Sequence, residues 1–130
     1  MGTRSLTIVY GMWNNEKVPL VNMYRQYDGY PSGHGLELAE FLDGHILVNG
    51  YSEESKKISN GMGCLAASLV AHFKKTTGGF YLEPVNARDM GQEYIYHVYV
   101  DMVVVESYGG NEEFSGSWED FKLFCKCDDV

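Results

Sequence analysis

Hydrophobic and polar residues alternate through the first part of the chain, which is the pattern of β-strands with one buried face. Residues 5 to 10 read Ser-Leu-Thr-Ile-Val-Tyr and are rich in β-branched and aromatic side chains. Residues 18 to 27 alternate again after a turn-like stretch at residues 13 to 17. We therefore predict a β-hairpin. The two faces of its second strand are Val21, Met23, Arg25 and Tyr27 on one side and Leu20, Asn22, Tyr24 and Gln26 on the other.

Three later segments have the features of helices. The first runs from residue 36 to residue 42 and ends at the stop signal Asp43-Gly44. The second, over residues 62 to 73, precedes Gly78-Gly79, and the third begins at the cap residue Ser117 with acidic residues in its first turn. The second helix has the clearest apolar stripe. It consists of Met62, Leu65, Ala66, Leu69, Val70 and Phe73.

Strand patterns return in the second half of the chain. Residues 80 to 85 form a short predicted strand, and residues 94 to 108 are either one long bent strand or two strands joined near Asp101-Met102. Because strands and helices do not alternate regularly, we predict an α+β fold. It is a single domain over residues 1 to 130, with a mainly antiparallel sheet of about five to six strands and two to three helices on one face.

Composition limits the classes of partner. The 130 residues are 45% hydrophobic, enough for one core. Eighteen acidic and ten basic side chains give a net charge of −8, which disfavours bulk nucleic acid and membrane surfaces as partners. We find no apolar run of membrane-spanning length and no signal peptide, and therefore expect a cytoplasmic protein. The three cysteines lack the pairs of a zinc site, and we expect no metal or other cofactor.

Residues 23 to 35 are denser in aromatic rings, hydrogen-bonding groups and glycine than folding alone requires. They read Met-Tyr-Arg-Gln-Tyr-Asp-Gly-Tyr-Pro-Ser-Gly-His-Gly and join the predicted hairpin to the first helix. Strand-loop-helix junctions gather side chains and N–H groups around one concavity. We predict that this loop binds a small anionic ligand. The predicted binding residues are Tyr24, Arg25, Tyr27, Asp28, Tyr30, Ser32, Gly33, His34 and Asn60.

Each of these residue types suits a nucleotide. The Arg25 guanidinium can take a phosphate through two hydrogen bonds, and the three tyrosine rings can stack on a base. Asp28 can accept a hydrogen bond from a base or a ribose. Ser32, His34 and the N–H groups of the loop glycines can surround an oxyanion. Asn60 precedes the second helix in a glycine-containing entry that lacks the lysine of a P-loop, so it is the weaker part of the site.

Two other interpretations of the same residues stay open. The loop can be a rigid turn in which Arg25 pairs with Asp28 and the tyrosines pack at the edge of the core. Alternatively, His34 and Asp28 can form the general-base pair of an enzyme, although no nucleophile motif accompanies them. Among the other histidines, we predict that His72 is solvated and that His97 faces outward on its strand.

The motif of residues 23 to 35, together with Gly2-Thr3-Arg4-Ser5 and the weaker Gly116-Ser117-Trp118-Glu119, resembles a family of small proteins encoded by bacteriophages and prophages. The likeness covers residues 1 to 42 and residues 116 to 119. Small acidic phage proteins of this size include the viral sponges, which bind cyclic nucleotide or ADP-ribose-derived immune signals without cleaving them. The resemblance implies an anti-defence protein in the host cytoplasm.

Together these observations predict a non-enzymatic protein that sequesters a small anionic nucleotide. Tight retention favours burial of the ligand between subunits, and the apolar strand at residues 102 to 105 is a candidate contact for a homodimer. One alternative is a hydrolase that degrades the nucleotide with His34 and Asp28. Another is an inhibitor whose acidic surface binds a host protein.

Overall fold

A six-stranded sheet with three helices on one face forms the protein in a computed structural model, which describes residues 2–48 and 58–127. The predicted domain of residues 1 to 130 therefore includes short stretches outside the described residues. Alternating residues produce the strands, as the sequence pattern predicts. In chain order these are β1 (Ser5–Trp13), β2 (Glu16–Arg25), β3 (Ile46–Val48), β4 (Ile58–Asn60), β5 (Phe80–Leu82), β6 (Tyr94–Val98), β7 (Val103–Ser107) and β8 (Asn111–Gly116).

The main sheet has the strand order β5-β2-β1-β6-β7-β8, and β3 and β4 form a separate parallel pair. Within the main sheet, β1 runs parallel to β6, whereas the other neighbours are antiparallel. The predicted hairpin of β1 and β2 is confirmed, with Ser5 opposite Arg25 and Thr7 opposite Met23. The α+β class and the mainly antiparallel sheet are confirmed as well.

The helices are α1 (Leu36–Leu42), α2 (Gly61–Phe73) and α3 (Trp118–Lys126), and a π-helical turn at Pro31–Gly35 leads into α1. The bounds of α1 are those that the sequence predicts. At the start of α3 the Ser117 hydroxyl accepts a hydrogen bond from the Asp120 N–H, which is the predicted cap. None of the helices within residues 2–48 and 58–127 is long and apolar enough to cross a membrane.

Both faces of the sheet are covered near its centre. The helices pack on the face formed by Val9, Met23, Tyr96, Val98, Val103 and Val105. On the opposite face the segment 83–93 crosses β2, where the Asn22 side-chain amide donates to the carbonyls of Pro84 and Ala87 at 3.0 Å. As a result, residues 5–11 of β1 are buried throughout.

The structure decides between the two alternatives for residues 94 to 108. They form two strands, because the chain turns where the Tyr99 N–H donates to the Met102 carbonyl. Within the segment predicted as a dimer contact, Val103 and Val105 are fully buried and β7 lies inside the sheet, so only Met102 and Val104 are partly exposed for such a contact. The prediction that His97 faces outward is wrong, because its ring packs beside Tyr10 and Tyr99 and only 8% of the residue is exposed.

Candidate ligand-binding site

Arg25 ends β2 on the face that carries the helices, and only 5% of its surface is exposed. Its Nη1 donates to the Glu37 carboxylate at 2.6 Å and to His34 Nδ1 at 3.1 Å. The guanidinium also lies 4.9 Å from the ring centre of Phe80. Its Nε is buried without a hydrogen-bond partner in the described structure. Arg25 is thus firmly held, yet its hydrogen-bonding capacity is not used up.

His34 contacts the same Nη1 atom of Arg25 that Glu37 does. It is fully buried, and its Nε2 lies 2.6 Å from the Thr7 hydroxyl. Because a guanidinium only donates, Nδ1 must accept from Arg25 and Nε2 must carry the proton. Burial, assisted by the Arg25 charge, lowers the pKa of His34 from 6.5 to about 3. The imidazole is therefore neutral at physiological pH, and both of its nitrogens already have partners.

The structure does not assemble Asp28 and His34 as an acid–base pair. The Asp28 side chain is exposed, and it is the backbone carbonyl of Asp28 that accepts a hydrogen bond from the His34 N–H at 2.7 Å. Asp28 has a φ of 58°, a left-handed conformation that aspartate tolerates in turns. Arg25 pairs with Glu37 instead of the Asp28 partner considered for a rigid turn.

The glycines of the loop serve the turn itself. The N–H groups of Gly33 and Gly35 both point to the Tyr30 carbonyl, at 2.9 and 3.4 Å, so the predicted oxyanion donors have partners. A Cβ atom on Gly33 would lie 2.6 Å from the Asp28 carbonyl oxygen, closer than real Cβ contacts. Glycine is required there for packing. The dense motif thus contributes more to the fold than the sequence suggests.

The remaining predicted residues lie at several places. Tyr24 is on the opposite face of the sheet, where its ring packs near Tyr81. Tyr27 is exposed beside Arg25, with 5.6 Å between the guanidinium and its ring centre, while Tyr30 and Ser32 are half-buried. Asn60 precedes α2, roughly 18 Å along the helix axis from its other end. The structure therefore does not bring the nine predicted residues together around one cavity.

Arg25 instead lines a cleft of about 700 Å³ between α1, the second half of α2 and β5. Lys75 supplies a second cationic side chain, and His72 lies between two phenylalanines, 5.0 Å from the ring of Phe41 and 5.1 Å from that of Phe73. The acidic side chains on the wall belong to α1. The aromatic and charged lining consists of Arg25, Lys75, His72, Phe41, Phe73, Phe80, Glu37 and Glu40.

Sequence reasoning missed most of this lining. The apolar stripe predicts a buried Phe73 and a solvated His72, which is correct for each position considered alone. Their role in a cleft depends on how α1 packs beside α2, which the local pattern does not contain. Phe80 of β5 pairs with Arg25 of β2 and therefore lies on the same face, but this register also depends on tertiary structure.

Comparison of the chain with known protein families, with curated proteins and with solved structures finds no match. The side chains around the cleft therefore indicate its chemistry. A buried guanidinium and a lysine favour an anionic group, and the aromatic wall favours a planar apolar one. The carboxylate of Glu37, already bonded to Arg25, stands where the anionic group of a ligand would bind.

Proposed function

We propose that the protein binds a small anionic nucleotide in the cleft between α1, α2 and β5 and holds it without converting it. The observation that carries the proposal is the Arg25 guanidinium, nine-tenths buried yet lining a cleft with aromatic walls. Burying a charge is costly, and Glu37 compensates Arg25 through a single contact at Nη1 while Nε has no hydrogen-bond partner in the described structure. A phosphate offers Arg25 more acceptor oxygens than this one contact with Glu37 supplies.

The phosphate would replace the Glu37 carboxylate on Arg25. Glu37 is the more exposed partner of the pair, since 51% of its side chain is accessible to solvent compared with 6% for Arg25. A planar guanidinium binds oxyanions through parallel hydrogen bonds, and a phosphate can also accept from groups that one carboxylate leaves unused. Lys75 adds a second positive charge at the same cleft.

The base would lie against the aromatic wall. Phe73 packs against Phe80 with 5.6 Å between ring centres, and His72 extends the surface towards Phe41. Stacking on such rings contributes about 1 to 3 kcal/mol per base. A volume of about 700 Å³ is within the range of small-molecule sites and suits one nucleotide or a small cyclic one.

Capture without turnover agrees with the state of His34. A general base needs a free lone pair and a pKa near the working pH, whereas Arg25 occupies Nδ1 and the pKa of His34 is lowered to about 3. The resemblance of residues 23 to 35 to phage and prophage proteins adds the biological part of the proposal. In this role the protein sequesters a nucleotide immune signal inside the host.

A nucleotide panel tests the proposal directly. We would titrate the protein with cyclic mononucleotides, cyclic dinucleotides and ADP-ribose by calorimetry, then denature each complex by heat and analyse the released compound by chromatography. Saturable binding with intact recovery supports the proposal. Recovery of a linear or hydrolysed product would indicate an enzyme, and the absence of binding across the panel would favour a protein partner.

Arg25→Lys should weaken nucleotide binding by about tenfold or more, because lysine keeps the charge but loses the planar fork. The same variant loses the bond to His34, so its thermal midpoint must be measured alongside affinity. Binding by a folded Arg25→Lys protein at wild-type affinity would show that the phosphate lies elsewhere.

Glu37→Gln should have the opposite effect and tighten binding of the same nucleotide by about three- to tenfold. The reason is that the variant lacks the carboxylate charge that competes with the phosphate for Arg25 Nη1. Glu40→Gln is the matched control, because Glu40 lines the same cleft and its replacement removes an equal charge. An equal gain in affinity for the two variants would indicate a general effect of charge. The phosphate would then not replace the Glu37 carboxylate on Arg25.

A further inference from the structure

A hydrogen-bonded chain of three ionisable side chains lies on the sheet face opposite the helices. The Tyr10 hydroxyl is 2.6 Å from His97 Nδ1, and His97 Nε2 bonds to the Glu106 carboxylate. The residues come from neighbouring strands, β1, β6 and β7. Tyr10 and His97 are buried, whereas 32% of the Glu106 side chain is exposed. This hydrogen-bonded chain therefore has a buried end at Tyr10 and an exposed end at Glu106.

The direction of these hydrogen bonds follows from charge. Burial lowers the pKa of His97 despite the opposing effect of Glu106, so the imidazole is neutral at physiological pH. Because a carboxylate accepts, Nε2 carries the proton and Nδ1 accepts from the Tyr10 hydroxyl. Burial, reinforced by Tyr99, raises the pKa of Tyr10 to about 12, so the phenol stays protonated. Tyr10 and His97 thus orient Glu106 and leave its second oxygen for another donor.

The fold alone does not require this polar chain. On the same face of β1, Leu6 and Ile8 are apolar and fully buried, which shows what packing prefers there. Polar groups in such surroundings lower stability unless each finds a partner, and apolar residues of similar size are often at least as stabilising. The arrangement holds the Glu106 carboxylate in one orientation at the exposed end of the hydrogen-bonded chain.

Glu106 opens onto a cleft of about 870 Å³ that is separate from the one at Arg25. Arg88 stands in its wall, fixed by Nη1 donating to the Val85 and Ala87 carbonyls at 2.8 and 3.0 Å. Arg4 is already paired with Glu93, whose carboxylate accepts from the Arg4 backbone N–H at 2.6 Å. Arg88 and Glu106 both line this cleft and carry opposite charges.

We propose that this second cleft binds a small zwitterion of the amino-acid class, with its ammonium group on Glu106 and its carboxylate on Arg88. The charges of the lining disfavour a ligand that carries only one sign of charge. A plain anion would approach the carboxylates of Asp89, Glu93 and Glu106, and a plain cation would approach the two guanidinium groups. A ligand with one positive and one negative charge matches a cleft that is lined by both kinds of charge.

Calorimetry with the standard free amino acids tests the proposal. At least one should bind saturably to the wild-type protein, and Glu106→Gln should weaken that binding by about tenfold or more through loss of the charge-assisted contact. Trimethylglycine keeps both charges but has no N–H group, so it should bind less well than glycine. Tyr10→Phe leaves the Glu106 charge in place and should weaken binding less than Glu106→Gln does.

Amide chemical shifts of the wild-type protein provide a test that does not depend on the folding of a variant. The bound amino acid should perturb residues 88–93 and 106–110 and leave the Arg25 cleft unchanged. Glu119→Gln, which removes one exposed charge on α3, should bind like the wild type. Absence of saturable binding by any amino acid, perturbation confined to other residues, or binding that Glu106→Gln leaves unchanged would overturn the proposal.

Discussion

Leu69→Ala should lower the free energy of unfolding by about 2 to 5 kcal/mol, the range for leucine truncation in a packed core. Leu69 is fully buried in the centre of α2, where the helix packs on the sheet. Truncation removes apolar contact and leaves a cavity that surrounding strands cannot close. Urea denaturation monitored by circular dichroism measures the loss.

Leu123→Ala is the matched control for this prediction. It makes the same chemical change on α3, but Leu123 is 60% exposed, so the loss should stay within about 0.5 kcal/mol. Equal midpoints for the two variants would show that α2 does not pack on the sheet through the predicted stripe. The contrast therefore tests the orientation of the helix and not only its presence.

Acidification should destabilise the protein through His34 well before the carboxylates of the surface are protonated. The folded pKa of His34 is about 3 and the unfolded one 6.5, so between these values the unfolded chain binds a proton that the folded chain excludes. The associated stability is complete above the unfolded pKa and is lost as pH falls towards the folded one. The loss of stability reaches about 4 kcal/mol as the pH approaches the folded pKa of His34.

Comparison with His34→Gln isolates this contribution. The variant should be less stable at pH 7, because it disturbs the bonds to Thr7 and Arg25, but its stability should fall less steeply between pH 6.5 and 4. His97, whose pKa is also lowered, contributes to the slope of both proteins and cancels in the difference. His72→Gln, at an exposed position, should follow the wild type. Parallel profiles for wild type and His34→Gln would contradict the prediction.

The sequence was informative where local pattern and tertiary structure agree. The residues of α1 and the buried stripe of α2 follow from apolar spacing, because each helix packs one face on the same sheet. It was uninformative for β8, whose residues Asn-Glu-Glu-Phe-Ser-Gly contain one large apolar side chain. Such an edge strand is defined by its hydrogen bonds to β7, which composition does not reveal.

The same contrast between local pattern and tertiary structure explains which residues of the candidate sites the sequence predicts. Arg25 follows from the sequence because it belongs to a run dense in aromatic and hydrogen-bonding residues, yet its partner Glu37 depends on how the π-helical turn positions α1 over β2. A histidine among glycines is typical of an exposed loop, whereas that turn carries His34 into the core. Tyr10 lies 87 residues before His97 in the sequence and meets His97 and Glu106 through strand order alone.

The central place of β1 has a consequence for how the chain reaches its native state. Its antiparallel neighbour follows at once, but its parallel neighbour β6 leaves the ribosome much later. Until then one side of an apolar strand has unpaired backbone groups, and contacts between segments so distant in sequence form slowly. A nascent chain that stops before residue 94 is therefore a template for intermolecular strand pairing, and the interval before β6 emerges is when the protein most needs a chaperone.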